Sequence, residues 1–369
     1  MSIKNKLALF IAALIILPMS LLMLVSNIVL NGQLKAEEQK YLNSTLEIVS
    51  SDMAERRSDI RKVCGFFVED DSIRDALSSS DSFRLTNDLQ RLQSYYYKNI
   101  DYALVVTAEN KTLANVSPNI KYNGQGKIGE LVKKALNRQA AIQTTDVVAL
   151  EELFAENSKE YNDFSVKLDE GITGQDIYLR KALIELTIVP IMASGNNDSV
   201  SGALIVADIA NSDYYFPDYI SSRATEGFLV LSVEGVRVAT KATEGEEIKE
   251  LVGTRATKGS PSDFTKGQFF GTTQIKGASY IFLDREIKNI DGRAVGYLSV
   301  GIEENRFASM VTDNRWITLA IIFICLIVML LLGQVLAHNI SAPIISVTKL
   351  VKNYGRKHLG TSPAETSPP

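Results

Sequence analysis

The sequence predicts an α+β protein in which two stacked antiparallel modules sit on a long N-terminal helix, with a membrane-spanning helix at either end. Three observations carry that prediction. Two long apolar runs enclose a polar middle, although mean hydropathy averages only +0.03 over the chain. A helical stripe continues directly from the first run. After it, a pattern of hairpin, helical segment, second hairpin and closing strand occurs twice.

Residues 1–6 form a short tail carrying Lys4 and Lys6. Residues 7–30, LALFIAALIILPMSLLMLVSNIVL, hold no charge, and roughly 20 apolar residues suffice to cross a bilayer. The run is longer than the apolar core of a cleaved signal, so it reads as an anchor, with Pro18 tolerated at a modest kink. A second span covers Trp316 to His338. Lys349, Lys352, Arg356 and Lys357 follow it, so the positive-inside rule puts both termini in the cytoplasm and residues 31–315 outside the inner membrane.

Within 31–212, Leu34, Leu42, Leu46, Val49, Met53, Ile60, Val63 and Phe67 recur at helical steps, and a second helical run covers Phe83 to Tyr97. The period then becomes that of strands. ALVVTAENKTLANV from Ala103 matches FLVLSVEGVRVATK from Phe228, aligning Leu104 with Leu229, Val106 with Leu231 and Ala114 with Ala239. VSGALIVADI from Val200 matches VGYLSVGIEE from Val295, with Gly202 on Gly296 and Leu204 on Leu298. Asn110 and Gly235 supply the turns, and Asp291-Gly292 marks the last hairpin. Two antiparallel sheets, each with helices on one side, are expected: one module within 31–212, the other within 213–312.

Composition excludes several classes. A net charge of -4 without a basic block argues against nucleic acid. Cys64 and Cys325 share no motif spacing, so neither a zinc site nor a disulfide framework is expected. No metal or cofactor motif is present. The outer region has no His, which removes Ser-His chemistry there and argues against an enzyme.

The second module resembles a Cache sensor. EGVRVATK from Glu234, VGTRA from Val252, KGQFFGTTQIKGASYIF from Lys266 and DGRAVGYLSVGI from Asp291 carry the likeness; the first module is similar in layout. The resemblance implies a double Cache (PAS-like) extracytoplasmic region of a bacterial sensor kinase or chemoreceptor, working as a homodimer and binding a small ligand. Amino-acid-binding Cache modules carry Arg-x-Trp-Tyr after the first hairpin; SPNIKYNGQGKIGELV from Ser117 has neither Arg nor Trp, so amino acids are not favoured, and a small anionic metabolite such as an organic acid is expected. After the second span, NISAPIISVTKLVKNYG from Asn339 resembles the first helix of a HAMP relay, with Pro343 at its start and Ile344, Val347, Val351 and Tyr354 in coiled-coil spacing. Residues 339–369 supply that helix and a connector only. The output is expected to be a sensor kinase, with a chemoreceptor fragment or a non-signalling remnant that dimerises with intact receptors as alternatives.

Eight residues are candidates for ligand contact. Tyr96 and Tyr102 flank the entry to the first strand and would offer aromatic faces, or simply cover the sheet. Asp176, Tyr178 and Arg180 alternate toward one side, where Arg180 suits a carboxylate or else an ion pair with Asp176. In the second module, Arg237, Thr240 and Tyr280 match family positions, with strand packing as their alternative role.

Overall fold

The computed structural model describes residues 3–96, 100–169, 176–194, 196–212, 227–242, 251–256, 267–275, 277–305 and, beyond them, 316, 319–324, 326–328, 331–332, 335, 343 and 346–354; the side chains of 3–15 and of some later residues lie outside the description. Two compact units result, one of residues 1–37 with 305–369, the other of residues 38–304. The first contains the early part of helix α1 (Ile3–Glu69) and the helical residues after 316. Among the described residues no helix is long and apolar enough to cross a membrane. The second apolar run falls partly outside those residues, as do many side chains of the first, and the connector at 355–369 lies wholly outside them.

The second unit opens with the rest of α1. Leu42, Leu46, Val49, Met53 and Ile60 of the expected stripe are buried. Helices α2 (Asp71–Ser78) and α3 (Ser82–Tyr95) follow, and their first turns are closed by Asp70 and Asp81, which accept from the amides of Ser72 and Arg84. Then come β1 (Tyr102–Thr107), β2 (Thr112–Asn115), α4 (Gly126–Arg138), β3 (Ile142–Ala149), the short α5 (Leu150–Leu153) and α6 (Lys159–Asp163), the two-residue strands β4 (Val166–Lys167) and β5 (Tyr178–Leu179), and the long hairpin β6 (Lys181–Ala193) and β7 (Asn196–Ile209). The second module has β8 (Phe228–Val233), β9 (Val236–Ala242), β10 (Gln268–Ile275), β11 (Ala278–Lys288) and β12 (Ala294–Glu303).

The sheets run β2-β1-β7-β6-β3 and β9-β8-β12-β11-β10, all antiparallel. That is one strand order used twice. The internal repeat is therefore a repeat of topology, with one correction to its alignment. Leu104 and Val105 pair with Asn115 and Ala114 before a bulge, while Val230 and Leu231 pair with Thr240 and Ala239 before a bulge at the same place. Across the sheet Leu104 pairs with Ile205, and Val230 with Ser299. Leu104 thus corresponds to Val230 and Val106 to Ser232, one residue from the sequence match. The cause is the turn: between bulge and second strand the first module has an extra residue, with Asn110 at φ 62, where the second turns on Glu234 and Gly235 at φ 51 and 79.

A second correction concerns the layers. The first sheet is covered on both faces. Tyr102, Leu104, Ile184, Ile188 and Ile205 pack under α4, α5 and α6, while Ala103, Val105, Leu204 and Val206 pack against α1, α2 and α3. Its strands are accordingly apolar on consecutive positions rather than alternating. Cys64 lies in the α1 layer, and burial pushes its thiol up to about 12, so it is a packing residue rather than a reactive one.

The last hairpin docks on the first module. The amide of Ile290 donates to Thr144 Oγ1 at 3.0 Å, and Lys134 Nζ lies 3.6 Å from Asp291 Oδ1. Helix α1 meets the second sheet as well, through Ser50 Oγ, which accepts from Arg285 Nη1 at 2.9 Å, and through the Arg285–Glu47 ion pair.

Candidate ligand site

A cavity of about 520 Å³ lies in the first module, within the roughly 300–1,000 Å³ usual for small-molecule sites. Three stretches distant in sequence build it: the end of α3 with the entry to β1, the segment after β2, and α6 with Phe164. Ser158 starts α6 by accepting the Tyr161 amide at 3.2 Å. Gln93 Nε2 donates to the Ile100 carbonyl at 3.2 Å and so ties α3 to the entry of β1. These local contacts place Asp101, Glu160 and Asp163 around the space, with Lys159 as the one cation of the described lining.

Two of these carboxylates, Asp101 and Glu160, are held by the fold. Asp101 Oδ2 accepts the Ile209 amide at 2.8 Å. Glu160 accepts from Ser117 Oγ and Asn119 Nδ2, both at 2.8 Å. Burial works against the Glu160 charge, but its own backbone hydrogen bond and those from Ser117 and Asn119 outweigh it and keep the carboxyl below its ordinary range. The described lining therefore offers carboxylates opposite an apolar wall at Val116 and Phe164.

Phe164 also links this wall to the sheet. Its ring stacks on Phe154 at 5.8 Å, and Phe154 meets Tyr102 edge-on at 6.0 Å. Tyr102, expected to offer its face to a ligand, is instead wholly buried one aromatic layer behind the cavity. Its hydroxyl has no hydrogen-bond partner among the described residues, and burial, then the nearby Tyr122 and Glu152, push it well above the ordinary phenol range.

The other candidates of this module lie elsewhere. Tyr96 caps α3 and is exposed, beyond Gln93 and Ser94 of the lining. Asp176, Tyr178 and Arg180 are all exposed. Asp176 pairs with Lys167 at 2.7 Å rather than with Arg180, and Tyr178 belongs to the small β4–β5 ladder. Arg180 lends its backbone carbonyl to the Leu150 amide at 2.9 Å. None of the three is in the described lining of the cavity. Glu160 and Asp163 escaped notice in the sequence because a five-residue helix between loops has no periodicity to mark it.

In the second module, Arg237 does meet a cavity, of only about 20 Å³, room for about one water. Its Nη1 donates to Thr254 Oγ1 and to the Arg255 carbonyl, both at 2.7 Å. Asp284 faces the same space; burial raises its carboxyl to about 6, opposed by the Ser299 hydrogen bond and the charge of Arg237. The same burial lowers Arg237, and Asp284 counteracts that. Thr240 is buried opposite Val230, and Tyr280 packs edge-on against Phe228 at 5.6 Å. The corresponding positions of the first module, Ile188 for Asp284 and Thr112 for Arg237, bear no charge. Asp284 had one sequence signal, a carboxylate amid the apolar strand YIFLDREI.

Residues 208–314 match the family model of the Single cache domain 3. The second module is a Cache domain. Among solved structures, the chain is similar to the periplasmic domain of Vibrio cholerae LuxQ at 14% identity, with 71% of this chain and 100% of that chain covered and a TM-score of 0.45. It is also similar to the ligand-binding domain of the Campylobacter jejuni chemoreceptor Tlp3 in complex with L-valine, at 13% identity, 75% and 95% coverage and a TM-score of 0.41. A third is the ligand-binding domain of the Pseudomonas aeruginosa PAO1 amino acid chemoreceptor PctB in complex with L-Arg, at 12% identity, 74% and 97% coverage and a TM-score of 0.38. No curated protein matches the chain. The Cache domain carries the small Arg237–Asp284 cavity, and the ligand-sized cavity belongs to the module before it.

Proposed function

We propose that the chain is a membrane-anchored sensor that binds a small extracytoplasmic ligand in its first module and uses its Cache domain to pass the signal on. The observation that carries this reading is the 520 Å³ cavity with its fixed carboxylates. Glu160 and Asp163 stand with Asp101 in the described lining beside Lys159, and these carboxylates support a ligand bearing an ammonium group over the organic acid suggested by Arg180. Phe164 gives the ligand an apolar wall and, through Phe154 and Tyr102, a packed route to the sheet. The cavity at Arg237 and Asp284, by contrast, measures only about 20 Å³ among the described residues.

In this reading the apolar runs at 7–30 and 316–338 anchor a homodimer in the inner membrane with both termini cytoplasmic, and residues 339–354 form the first HAMP helix. The protein is then a receptor without catalysis of its own. A histidine kinase is the preferred output, with a chemotaxis signalling region or a non-signalling remnant as alternatives. Ligand shifts the receptor only by its differential affinity for two states. The test is a thermal-shift panel of amines, amino acids and carboxylic acids on the full chain in detergent. A stabilising ammonium compound whose effect is lost in Glu160→Gln supports the site. A carboxylic acid whose effect is lost in Arg180→Ala, with Glu160→Gln unaffected, moves the site to Arg180.

A further inference from the structure

Glu185 occupies the middle of β6, paired on one side with Thr145 of β3 and on the other with Asp208 of β7. Two carboxylates therefore stand side by side on adjacent strands. Helix α1 meets them with consecutive arginines. Arg56 Nη2 binds Asp208 Oδ2 at 2.5 Å, while Arg57 Nη1 donates to Thr145 Oγ1 at 3.2 Å and stays 3.9 Å from Glu185 Oε1. Neither oxygen of Glu185 has a hydrogen-bond partner, and both are shielded from water.

The groups facing Glu185 can be counted element by element. From α1 come Arg56 and Arg57; from β7, Asp208; from β3, the uncharged Thr145; and from the Cache domain, Leu231, across a cavity of about 10 Å³. Arg56 is taken up by Asp208, and Arg57, 3.9 Å from Glu185, gives its hydrogen bond to Thr145 instead. A carboxyl group with no hydrogen bond to either oxygen, shielded from water and set beside Asp208, is accommodated most simply by a proton. Burial raises this carboxyl, with Arg57 and Arg56 pulling the other way.

We infer that Glu185 is a proton-binding site that makes the docking of α1 on the first sheet respond to external pH. In the protonated state Arg57 rests on Thr145, as observed. Loss of the proton to water leaves a carboxylate that draws Arg57 across the 3.9 Å gap and repels Asp208, so the helix shifts against the sheet. The site lies away from the ligand cavity and acts without ligand, so it stands or falls separately from the proposed ligand.

The test uses the full chain in detergent with Cys325→Ser and spin labels at Ser58→Cys on α1 and Lys111→Cys at the β1–β2 turn, measured by pulsed electron paramagnetic resonance from about pH 5 to about pH 8. The distance distribution should change with pH in the parent, and stay at its low-pH form in Glu185→Gln. Glu185→Asp, which keeps the titrating group, should retain the change with a displaced midpoint and serves as the second variant if Gln disturbs folding. Infrared absorption should lose a protonated-carboxyl band in Glu185→Gln. A distance that never changes with pH, or one that changes equally in Glu185→Gln, overturns the inference.

Discussion

Arg56 of the long helix and Asp208 of the first sheet are joined at 2.5 Å and are both buried, so the helix is fixed to the sheet by an ion pair inside the fold. Such a pair adds little beyond what well-packed apolar side chains would give, yet removing one partner strands the other charge. Asp208→Ala should therefore destabilise the outer unit by roughly 3–5 kcal/mol, and Arg56→Met with Asp208→Leu by much less than the sum of the single changes. Chemical denaturation of the parent, the three single variants and the double variant checks this. Additive losses would mean that the two residues do not act as a pair.

Asp284 gives the Cache domain a pH dependence of defined sign. Its folded carboxyl lies at about 6 against an ordinary 3.8, so the stabilisation it contributes is fully present below the ordinary value and disappears as pH rises through about 6. The difference amounts to roughly 3 kcal/mol at alkaline pH. Asp284→Asn should flatten the fall in Tm between about pH 4 and about pH 8 and melt higher than the parent at the upper end. A slope left unchanged by the substitution would show that Asp284 is ionised in the fold at all these pH values.

Gly202 and Gly296 occupy corresponding positions of β7 and β12, and both are pressed against the bulge of the neighbouring strand. A Cβ on Gly202 would lie 2.1 Å from the Val106 carbonyl oxygen, and one on Gly296 would lie 2.7 Å from that of Ser232. Val106 and Ser232 are themselves equivalent in the corrected register. Gly202→Ala should cost about 1–3 kcal/mol or more, and Gly296→Ala less, because backbone at 2.1 Å must move farther than at 2.7 Å. Thermal melts of the two variants decide the order.

What the sequence disclosed and what it withheld follow from the range of the forces involved. The turns at Asn110, Gly235 and Asp291-Gly292 and the two closing strands are local patterns, and each stands where its residues predict. The one-residue slip at Leu104 was hidden because an apolar strand reads alike in either register until its partners are known. The second helical layer went unseen because the alternation of β1 vanishes when both faces are buried. Site residues were harder still. Glu160 depends on Ser117 and Asn119, some forty residues away, and Glu185 on Arg57 of a different element. In IELTIV a lone Glu reads as an outward strand position, and only tertiary packing turns it inward.

The central claim is that an ammonium-bearing small molecule occupies the cavity between α3, β1 and α6. Isothermal titration of the full chain in detergent with a compound from the thermal-shift panel, set beside the Glu160→Gln and Asp163→Asn variants, tests it most directly. Saturable binding that weakens at least about tenfold in each variant, the loss of one charge-assisted hydrogen bond, is the predicted result. Binding of full strength in both variants, or no binding by any ammonium compound of the panel, would contradict it.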